Sequence, residues 1–220
     1  MNFMMGGNGM KVYDCPIKIR VTRCAYAWTI IECDFNGEVL KFNVSQSTGA
    51  EQLADFVDGL LMLSGTDYVN MDYRKYETED DVLVDEIVWD DVCTSVSFLW
   101  DEEPAFNEWR ITRKSFESFS DYTFPIEIKI KCSNGDKNGV YIYNVKFNDL
   151  CYALAKCLTD VLKKYGFEGY CLNTYGESID IRKLLKLKRF ALGIEKNYEC
   201  NNDEWVSGFA EEIELLLLDM

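Results

Sequence analysis

Residues 125–132 read Pro-Ile-Glu-Ile-Lys-Ile-Lys-Cys, and this stretch decides the fold. Apolar side chains occupy every second position, which is the period of a β-strand with one buried and one solvated face. Two Asn-Gly pairs within 133–139 predict a turn, and the aromatic and β-branched residues of 140–145 predict a returning strand. The sequence therefore predicts a β-hairpin over residues 125–145.

A helix is predicted directly after this hairpin. Asn148 or Asp149 can cap its start, and Gly166 is predicted to end it. Apolar residues between these points recur at spacings of three and four, as on one face of a helix. This stripe consists of Leu150, Cys151, Leu154, Cys157, Leu158, Val161, Leu162 and Tyr165. The helix is expected to lay the stripe on the sheet and to keep its other face in water.

An earlier segment repeats this order of elements. Strands are predicted at 28–34 and 39–45 around an Asn36-Gly37 turn, and Thr48 with Glu51 has the spacing of a helix capping box. The helix that follows has an apolar stripe of Leu53, Phe56, Val57, Leu60 and Leu61. Segments 39–44 and 140–145 share three identical residues and an aromatic at a fourth position. Either residues 15–120 and 121–220 form a pseudo-repeat, or the likeness arises from patterning alone.

Further elements complete the predicted architecture. Alternating patterns predict a strand at 17–21 and an antiparallel meander whose last strand turns Trp109 and Ile111 inward. The strands of this meander are 82–89, 92–100 and 107–114, and a separate, more polar strand is predicted at 68–76. Helices are predicted at 179–192, capped by Ser178, and at about 203–218. The expectation is an α+β fold of antiparallel sheet with helices packed on one face, formed as a single domain over residues 10–220.

Residues 1–9 are expected to be a non-native leader. They contain Gly6-Gly7 shortly before a second methionine, Met10, and Gly-Gly codons can spell the purine-rich signal that bacterial ribosomes bind upstream of a start. Met10 is therefore predicted to be the native first residue. Mass spectrometry of protein made from its native locus tests this, since a species beginning at Met1 or Asn2 would contradict it.

Composition predicts a cytoplasmic globular protein. The chain is 48% apolar, lacks an apolar run of bilayer-spanning length, and does not begin with the pattern of a secretory signal. Its nine cysteines are odd in number and form no Cys-x-x-Cys pair. Cys33, Cys132, Cys151 and Cys157 fall at expected core positions, so they are interpreted as reduced thiols acting as small hydrophobic residues.

The absence of histidine excludes several chemistries. With no histidine in the chain, Ser-His-Asp and Cys-His catalytic sites and histidine-containing zinc sites are impossible. The sequence also lacks the glycine-rich phosphate-binding motifs. A metal site could use the acids of 90–91 and 101–103, but a strand of eight to ten residues would separate them by about 25–30 Å. No cofactor and no enzymatic activity are therefore expected, and a carboxylate-based metal-dependent enzyme is the least favoured interpretation.

Charge favours a binding function. The net charge is −15, and residues 51–110 contain three basic and seventeen acidic side chains, a net −14. Such a charge repels nucleic acid and anionic membranes and attracts basic proteins, although acidity can also serve solubility alone. The residues expected to bind the partner are Tyr73, Tyr76, Glu79, Asp80, Asp81, Asp90, Asp91, Asp101, Glu102 and Glu103. Trp89 and Trp109 are interpreted as core residues rather than as partner contacts.

In general character, and not by any motif, the chain resembles small acidic proteins that neutralise bacterial toxins and DNA-mimicking inhibitors. An inhibitor or immunity-like protein that captures a basic protein is thus the favoured function, and a structural or assembly subunit of a phage or mobile element is the alternative. The basic helix 179–192 could neutralise the acidic C-terminal helix within one molecule. Ile213 and residues 215–218, all leucine, are expected to be buried in this chain or in a partner.

Overall fold

The computed structural model of the chain describes residues 16–25, 28–45, 52–64, 94–114, 122–133, 138–174, 178–194, 199–201, 204–206 and 209–220. The first elements in the chain are three strands and a helix. They are β1 (Ile17–Ala25), β2 (Trp28–Phe35), β3 (Glu38–Ser45) and α1 (Gln52–Ser64). The strands form an antiparallel sheet in the order β1-β2-β3, which we call the three-stranded sheet.

A second antiparallel sheet follows, in the order β4-β5-β6-β7, which we call the four-stranded sheet. Its strands are β4 (Ser95–Asp101), β5 (Phe106–Arg113), β6 (Pro125–Cys132) and β7 (Gly139–Lys146). The later elements are α2 (Phe147–Asn173), α3 (Ile181–Leu192), a short hairpin of β8 (Glu199–Asn201) and β9 (Glu204–Val206), and α4 (Phe209–Leu217). Antiparallel sheets with packed helices confirm the predicted α+β class. Of the helices in the described ranges, none is both long and apolar enough to cross a membrane.

The first predicted hairpin is confirmed, and its turn explains its register. Asn36 and Gly37 both have positive φ, 55° and 95°, as the central residues of a type I′ turn require. The Asp34 carboxylate accepts a hydrogen bond from the Gly37 amide at 2.7 Å. Phe35 therefore pairs with Glu38, and every second residue of β3 from Leu40 onward turns into the core.

The hairpin of β6 and β7 is confirmed as well. Its register runs without a shift from Pro125 opposite Lys146 to Cys132 opposite Gly139. The isoleucines of β6 are fully buried, as their alternation predicts. The strands predicted at 92–100 and 107–114 correspond to β4 and β5. The predicted strands at 68–76 and 82–89, and the capping box of Thr48 and Glu51, lie outside the described residues.

The two sheets share one aromatic core. Phe42 on β3 packs edge-on against Trp100 on β4, with ring centroids 5.2 Å apart, and lies 5.5 Å from Trp109 on β5. Phe56 on α1 contacts both tryptophans, and Phe98 stacks on Trp109. Trp100 and Trp109 are fully buried. Trp109 is therefore a core residue, as predicted, whereas Trp89 lies outside the described part of the chain.

Each long helix packs against the sheet of the other half of the chain. Helix α1 follows β3 but lies on β4, where a Cβ on Gly59 would come within 3.2 Å of the Val96 side chain. Helix α2 follows β7 but lies along β1. There the Tyr165 hydroxyl accepts a hydrogen bond from the Cys24 amide, and Lys164 donates to the Thr22 carbonyl. This crossing places residues of both halves in one hydrophobic core.

Three predicted helix boundaries are wrong. Helix α2 begins at Phe147, with Lys146 at the N-cap position and no side-chain cap, rather than with a cap at Asn148 or Asp149. The non-helical Gly166, with a φ of 68°, does end the first helical run as predicted, and a second run continues to Asn173. The cap of α3 is Asp180 rather than Ser178, because the Asp180 carboxylate accepts the Arg182 amide at 2.8 Å. The C-terminal helix begins at Phe209 instead of about residue 203, since the β8–β9 hairpin precedes it. In each case neighbouring residues could serve the same local role, and the sequence pattern does not distinguish them.

Helix α3 packs against α4, and Arg189 forms an ion pair with Glu212 at 3.4 Å, as the predicted neutralisation of the acidic helix requires. The fully buried Lys188 donates hydrogen bonds of 2.9–3.1 Å to three backbone carbonyls, those of Leu215, Leu216 and Leu218. These carbonyls belong to the end of α4, where a cation interacts favourably with the helix dipole. Leu215 is buried, but Leu217 is 76% exposed. The expectation that the leucine-rich end is buried is thus met within this chain only in part.

Candidate functional site

The candidate site is the face of the four-stranded sheet that points away from the core, which we call the open face. Alternation along β4 to β7 assigns sixteen residues to it. They are Ser95, Ser97, Leu99, Asp101, Phe106, Glu108, Arg110, Thr112, Pro125, Glu127, Lys129, Lys131, Val140, Ile142, Asn144 and Lys146. The opposite side chains of the same strands face the aromatic core.

Four large apolar side chains are exposed on the open face. Leu99 is 54% exposed, Phe106 48%, Val140 55% and Ile142 56%. The solvated face of an antiparallel sheet is normally polar, so these positions depart from the expected alternation. Apolar side chains gathered on one exposed face are characteristic of binding surfaces, whereas scattered ones need no explanation.

The register shows how these side chains are arranged. Leu99, Glu108, Lys131 and Val140 are paired in succession across β4, β5, β6 and β7 and form one row. Three strand spacings separate the ends of this row by about 14 Å. The next row ends at Ile142 in the same way. The apolar margins of the open face are therefore Leu99 on β4 and Val140 with Ile142 on β7, and its centre is charged. The other outward residues of β4, Ser95, Ser97 and Asp101, are polar.

The charged centre is held by weak, solvent-exposed interactions. Lys131 and Glu108 are 4.0 Å apart, and Arg110 donates a hydrogen bond of 3.0 Å to the Ser95 hydroxyl. Exposed pairs of this kind contribute little to stability, at most about 1 kcal/mol. Such side chains can exchange their contacts for those of a partner without a large loss of folding free energy.

Asp101, one of the predicted partner-binding acids, lies on the open face at the end of β4, and Glu103, another, lies in the turn that follows. Asp101 pairs with Phe106, so its carboxylate is adjacent to an exposed aromatic ring. The same carboxylate accepts the Glu103 amide at 2.9 Å and orders the turn between β4 and β5. Glu103 accepts a hydrogen bond from the Ser45 hydroxyl at 3.3 Å.

Glu102 has a different position from its neighbours. It is 4% exposed, and its carboxylate accepts the backbone amide of Asn43 at 2.6 Å. Asn43 belongs to β3, so Glu102 links the terminal strand of one sheet to the β4–β5 turn of the other. The remaining predicted residues, Tyr73, Tyr76, Glu79, Asp80, Asp81, Asp90 and Asp91, lie outside the described residues. Their role in partner binding stays a prediction.

The sequence contains a signal for the open face beyond strict alternation, namely runs of consecutive apolar residues. Residues 98–100 are Phe-Leu-Trp and residues 140–143 are Val-Tyr-Ile-Tyr, so apolar side chains occupy consecutive positions in both strands. Since consecutive residues of a strand point to opposite faces, such runs predict apolar side chains on both faces. Leu99, Val140 and Ile142 could have been identified in this way.

A small cleft lies between α1, α2 and α3, with a volume of about 170 Å³. Its wall includes Leu53, Val57 and Leu158, and Lys183 at its rim forms an ion pair with Asp58. Small-molecule sites usually have volumes of about 300–1,000 Å³, so this cleft is smaller than that range. In the ranges that the structure describes, no three Cys, Asp or Glu side chains converge on a position suited to a metal ion.

The buried cysteines have the environment of core residues. Burial raises the pKa of the Cys33 and Cys151 thiols well above the ordinary value, and it raises the pKa of Cys157 to about 12. A thiol with a raised pKa is protonated at neutral pH and is a poor nucleophile. Cys132 is also buried, so all four cysteines that the sequence assigned to the core lie there.

No protein-family model, no curated protein and no solved structure matches this chain.

Proposed function

We propose that this protein is a non-enzymatic, cytoplasmic binding protein that captures a basic protein through the open face of its four-stranded sheet, as an inhibitor or immunity-like protein does. The observation that carries the proposal is the set of exposed apolar side chains Leu99, Phe106, Val140 and Ile142 on one sheet face. Direct binding of nucleic acid or of a membrane is not part of the proposal, because the net charge of −15 opposes both.

Two different features of the protein serve the two stages of binding: apolar side chains form the contact surface, and net charge speeds the diffusional encounter with the partner. The apolar margins of the open face supply area that leaves water on binding, at about 25 cal/mol per Å². The net charge of the chain attracts a basic protein over a distance of about one Debye length, 8–10 Å at cellular salt. Asp101 at the end of the open face, paired with Phe106, brings negative charge next to an exposed aromatic side chain.

Affinity capture from host lysate with three baits tests the proposal. One bait is the native protein, the second carries Leu99→Asp, and the third carries Val39→Asp on the outer side of the three-stranded sheet. Leu99 and Val39 are 54% and 56% exposed, so the two substitutions are matched in exposure and in added charge. We expect one basic protein on the native and Val39→Asp baits and its loss from the Leu99→Asp bait.

Measuring the association rate at increasing salt concentration then distinguishes electrostatic attraction of the partner from the apolar contact that holds it. The captured protein should associate more slowly as salt rises, because screening weakens attraction between opposite net charges. Charge reversal at Glu79, Asp80, Asp81, Asp101 and Glu103 should slow association further. Equal retention by the Leu99→Asp and Val39→Asp baits, or capture of an acidic protein, would contradict the proposal.

A second candidate function, an assembly subunit, is favoured by α4. Leu217 is 76% exposed, Leu218 42% and Ile213 38%, while the Lys188 hydrogen bonds fix the end of the helix. An assembly subunit could dock these side chains on a neighbouring molecule. A discrete oligomer larger than a dimer, lost in a Leu217→Asp variant that still folds, would support this function over the inhibitor proposal.

A further inference from the structure

Strand β7 is a terminal strand of the four-stranded sheet. Among the described strands, none pairs with the edge of β7 that faces away from β6. Its sequence is Gly-Val-Tyr-Ile-Tyr-Asn-Val-Lys, which has no proline and no charge before Lys146. The pairing with β6 is continuous, so no bulge bends the strand away from a partner. An uncharged, regular and long edge strand is a template for pairing with another strand.

The terminal strands of the three-stranded sheet are protected in ways that β7 is not. The register of β1 shifts between Val21 and Arg23, and α2 lies along it and bonds to Thr22 and Cys24. On β3, the Asn43 amide is bonded to the buried Glu102 carboxylate. Bulges, charges and covering elements are the usual means of preventing edge-to-edge association.

Strand β4, the other end of the four-stranded sheet, also has neighbours. Helix α1 packs on it, with Phe56 against Phe98 at 5.1 Å. Its residues also contact β3 of the other sheet. Strand β7 contacts the three-stranded sheet through the Tyr143 side chain, which stacks on Phe35 and bonds to Glu38. It has no bulge, and no described strand pairs with its outer backbone edge.

We propose that β7 pairs antiparallel with β7 of a second copy of this chain, so that two four-stranded sheets become one sheet of eight strands across a twofold axis. A pairing centred on Tyr143 places Ile142 opposite the partner's Asn144 and Val140 opposite its Lys146. The paired residues differ by an even number of positions, so the side chains of each pair point to the same face of the combined sheet. The exposed Val140 and Ile142 of both copies then lie on one continuous open face.

The charge pattern of β7 favours a second copy over a charged partner strand. In this register the two Lys146 residues are each three residues from the centre in opposite directions, or about 20 Å apart. That separation exceeds the Debye length of about 8–10 Å, so their repulsion is screened. A strongly charged partner strand would find no opposite charge along residues 139–145. An antiparallel pair of identical strands is also isologous and closes at two copies.

Sedimentation equilibrium of the full chain over a range of concentrations tests the proposal. We expect a mass that approaches twice 25.5 kDa as concentration rises. The double variant Ile142→Lys/Asn144→Lys places like charges directly opposite each other at two sites and should raise the dimer Kd at least about tenfold. The double variant Ile142→Glu/Asn144→Glu should do the same, and a mixture of the two variants should restore the dimer.

A matched control and an independent measurement make the test decisive. Val39→Lys changes an equally exposed residue, 56% like Ile142, and should leave the dimer intact. Hydrogen exchange should show β7 amides protected in the native dimer and exposed in both double variants. A native protein that stays monomeric at all concentrations, a dimer insensitive to both double variants, or a mixture that fails to recover would each overturn the proposal. Protected β7 amides in a monomer would instead show that another part of this chain covers the edge, which also overturns it.

Discussion

The outer faces of the two sheets have the same position relative to the core but different side chains. On the three-stranded sheet, Glu32 is paired between Arg20 and Lys41, and Lys18 is paired with Asp34. We call these five residues the charged face. The open face of the four-stranded sheet instead exposes Leu99, Phe106, Val140 and Ile142, whereas Val39 is the one large apolar side chain of comparable exposure on the described three-stranded sheet.

This difference separates a face adapted to water from a face adapted to contact. On the charged face, side chains of opposite charge are paired across neighbouring strands, which favours the solvated sheet and leaves little apolar area exposed. Exposed apolar margins keep area available for a partner, at the risk of unwanted association. Because both sheets contribute to one core, stability does not explain why only one outer face is apolar.

The largest expected change in the free energy of unfolding comes from comparing a substitution on the core face of the four-stranded sheet with one on its open face. Trp109→Ala removes a fully buried ring from the aromatic core and should lower the free energy of unfolding by about 3–5 kcal/mol. Leu99→Ala on the open face should change it by less than about 0.5 kcal/mol. Urea unfolding followed by circular dichroism measures both. Similar losses would mean that the open face is covered and is not a binding surface.

The next largest effect concerns the link between the sheets. Glu102→Ala removes the charged acceptor of the Asn43 backbone amide and should cost about 1.5–3 kcal/mol, the range for a hydrogen bond to a charged group. Glu108→Ala, on the open face, is the matched control and should stay within about 0.5 kcal/mol of the native protein. If the two variants unfold at the same urea concentration, Glu102 does not hold the sheets together.

A smaller effect depends on pH. Tyr143 stacks on Phe35 and donates a hydrogen bond of 2.9 Å to Glu38, so it also links the sheets. Burial first, and the Glu38 carboxylate second, raise the pKa of Tyr143 above its ordinary value of 10.0. The stability from this protonated hydroxyl is fully present below pH 10 and is lost as pH rises through the raised pKa.

Unfolding curves of the native protein and of Tyr143→Phe across this alkaline range measure that effect. The native protein should lose stability more steeply above pH 10, because other tyrosines titrate equally in both proteins. Parallel pH profiles would show that the Tyr143–Glu38 hydrogen bond contributes nothing to the link between the sheets.

The smallest expected effect is on the charged face. Lys41 and Glu32 are 3.7 Å apart and solvent-exposed, so Lys41→Ala should cost about 0.2–1 kcal/mol at low salt. The cost should vanish at about 1 M salt, where the Debye length falls to about 3 Å. A larger cost that persists in salt would show that the charged face is more than a solvated surface.

Local patterns in the sequence predicted most of the sheet structure. Alternation identified β1, β3, β5 and β6, and the Asn36-Gly37 pair identified a turn whose positive φ values the structure shows. These features depend on neighbours in the chain. The crossing of α1 and α2 onto each other's sheets could not be predicted, because helix periodicity shows which face is buried but not against what.

The candidate site was harder to predict, for a related reason. Glu102 lies in a run of three acids that is typical of a solvated turn, yet its carboxylate is buried and accepts the amide of Asn43, 59 residues earlier in the chain. Asn107 and Arg113 share the inward face of β5 with Trp109, although both are polar. The Arg113 guanidinium lies 3.8 Å from the Phe124 ring centroid, a tertiary contact that no local pattern reveals.

The central claim is that the open face, and not the charged face, binds the partner. The most direct test is the Kd of the captured basic protein for the native chain, for Leu99→Asp and for Val39→Asp, measured by titration calorimetry at one salt concentration. We predict that Leu99→Asp weakens binding at least about tenfold, or 1.4 kcal/mol, as expected for an interface anchor, and that Val39→Asp leaves it unchanged. Equal Kd values for the two variants, or a greater loss with Val39→Asp, would contradict the account.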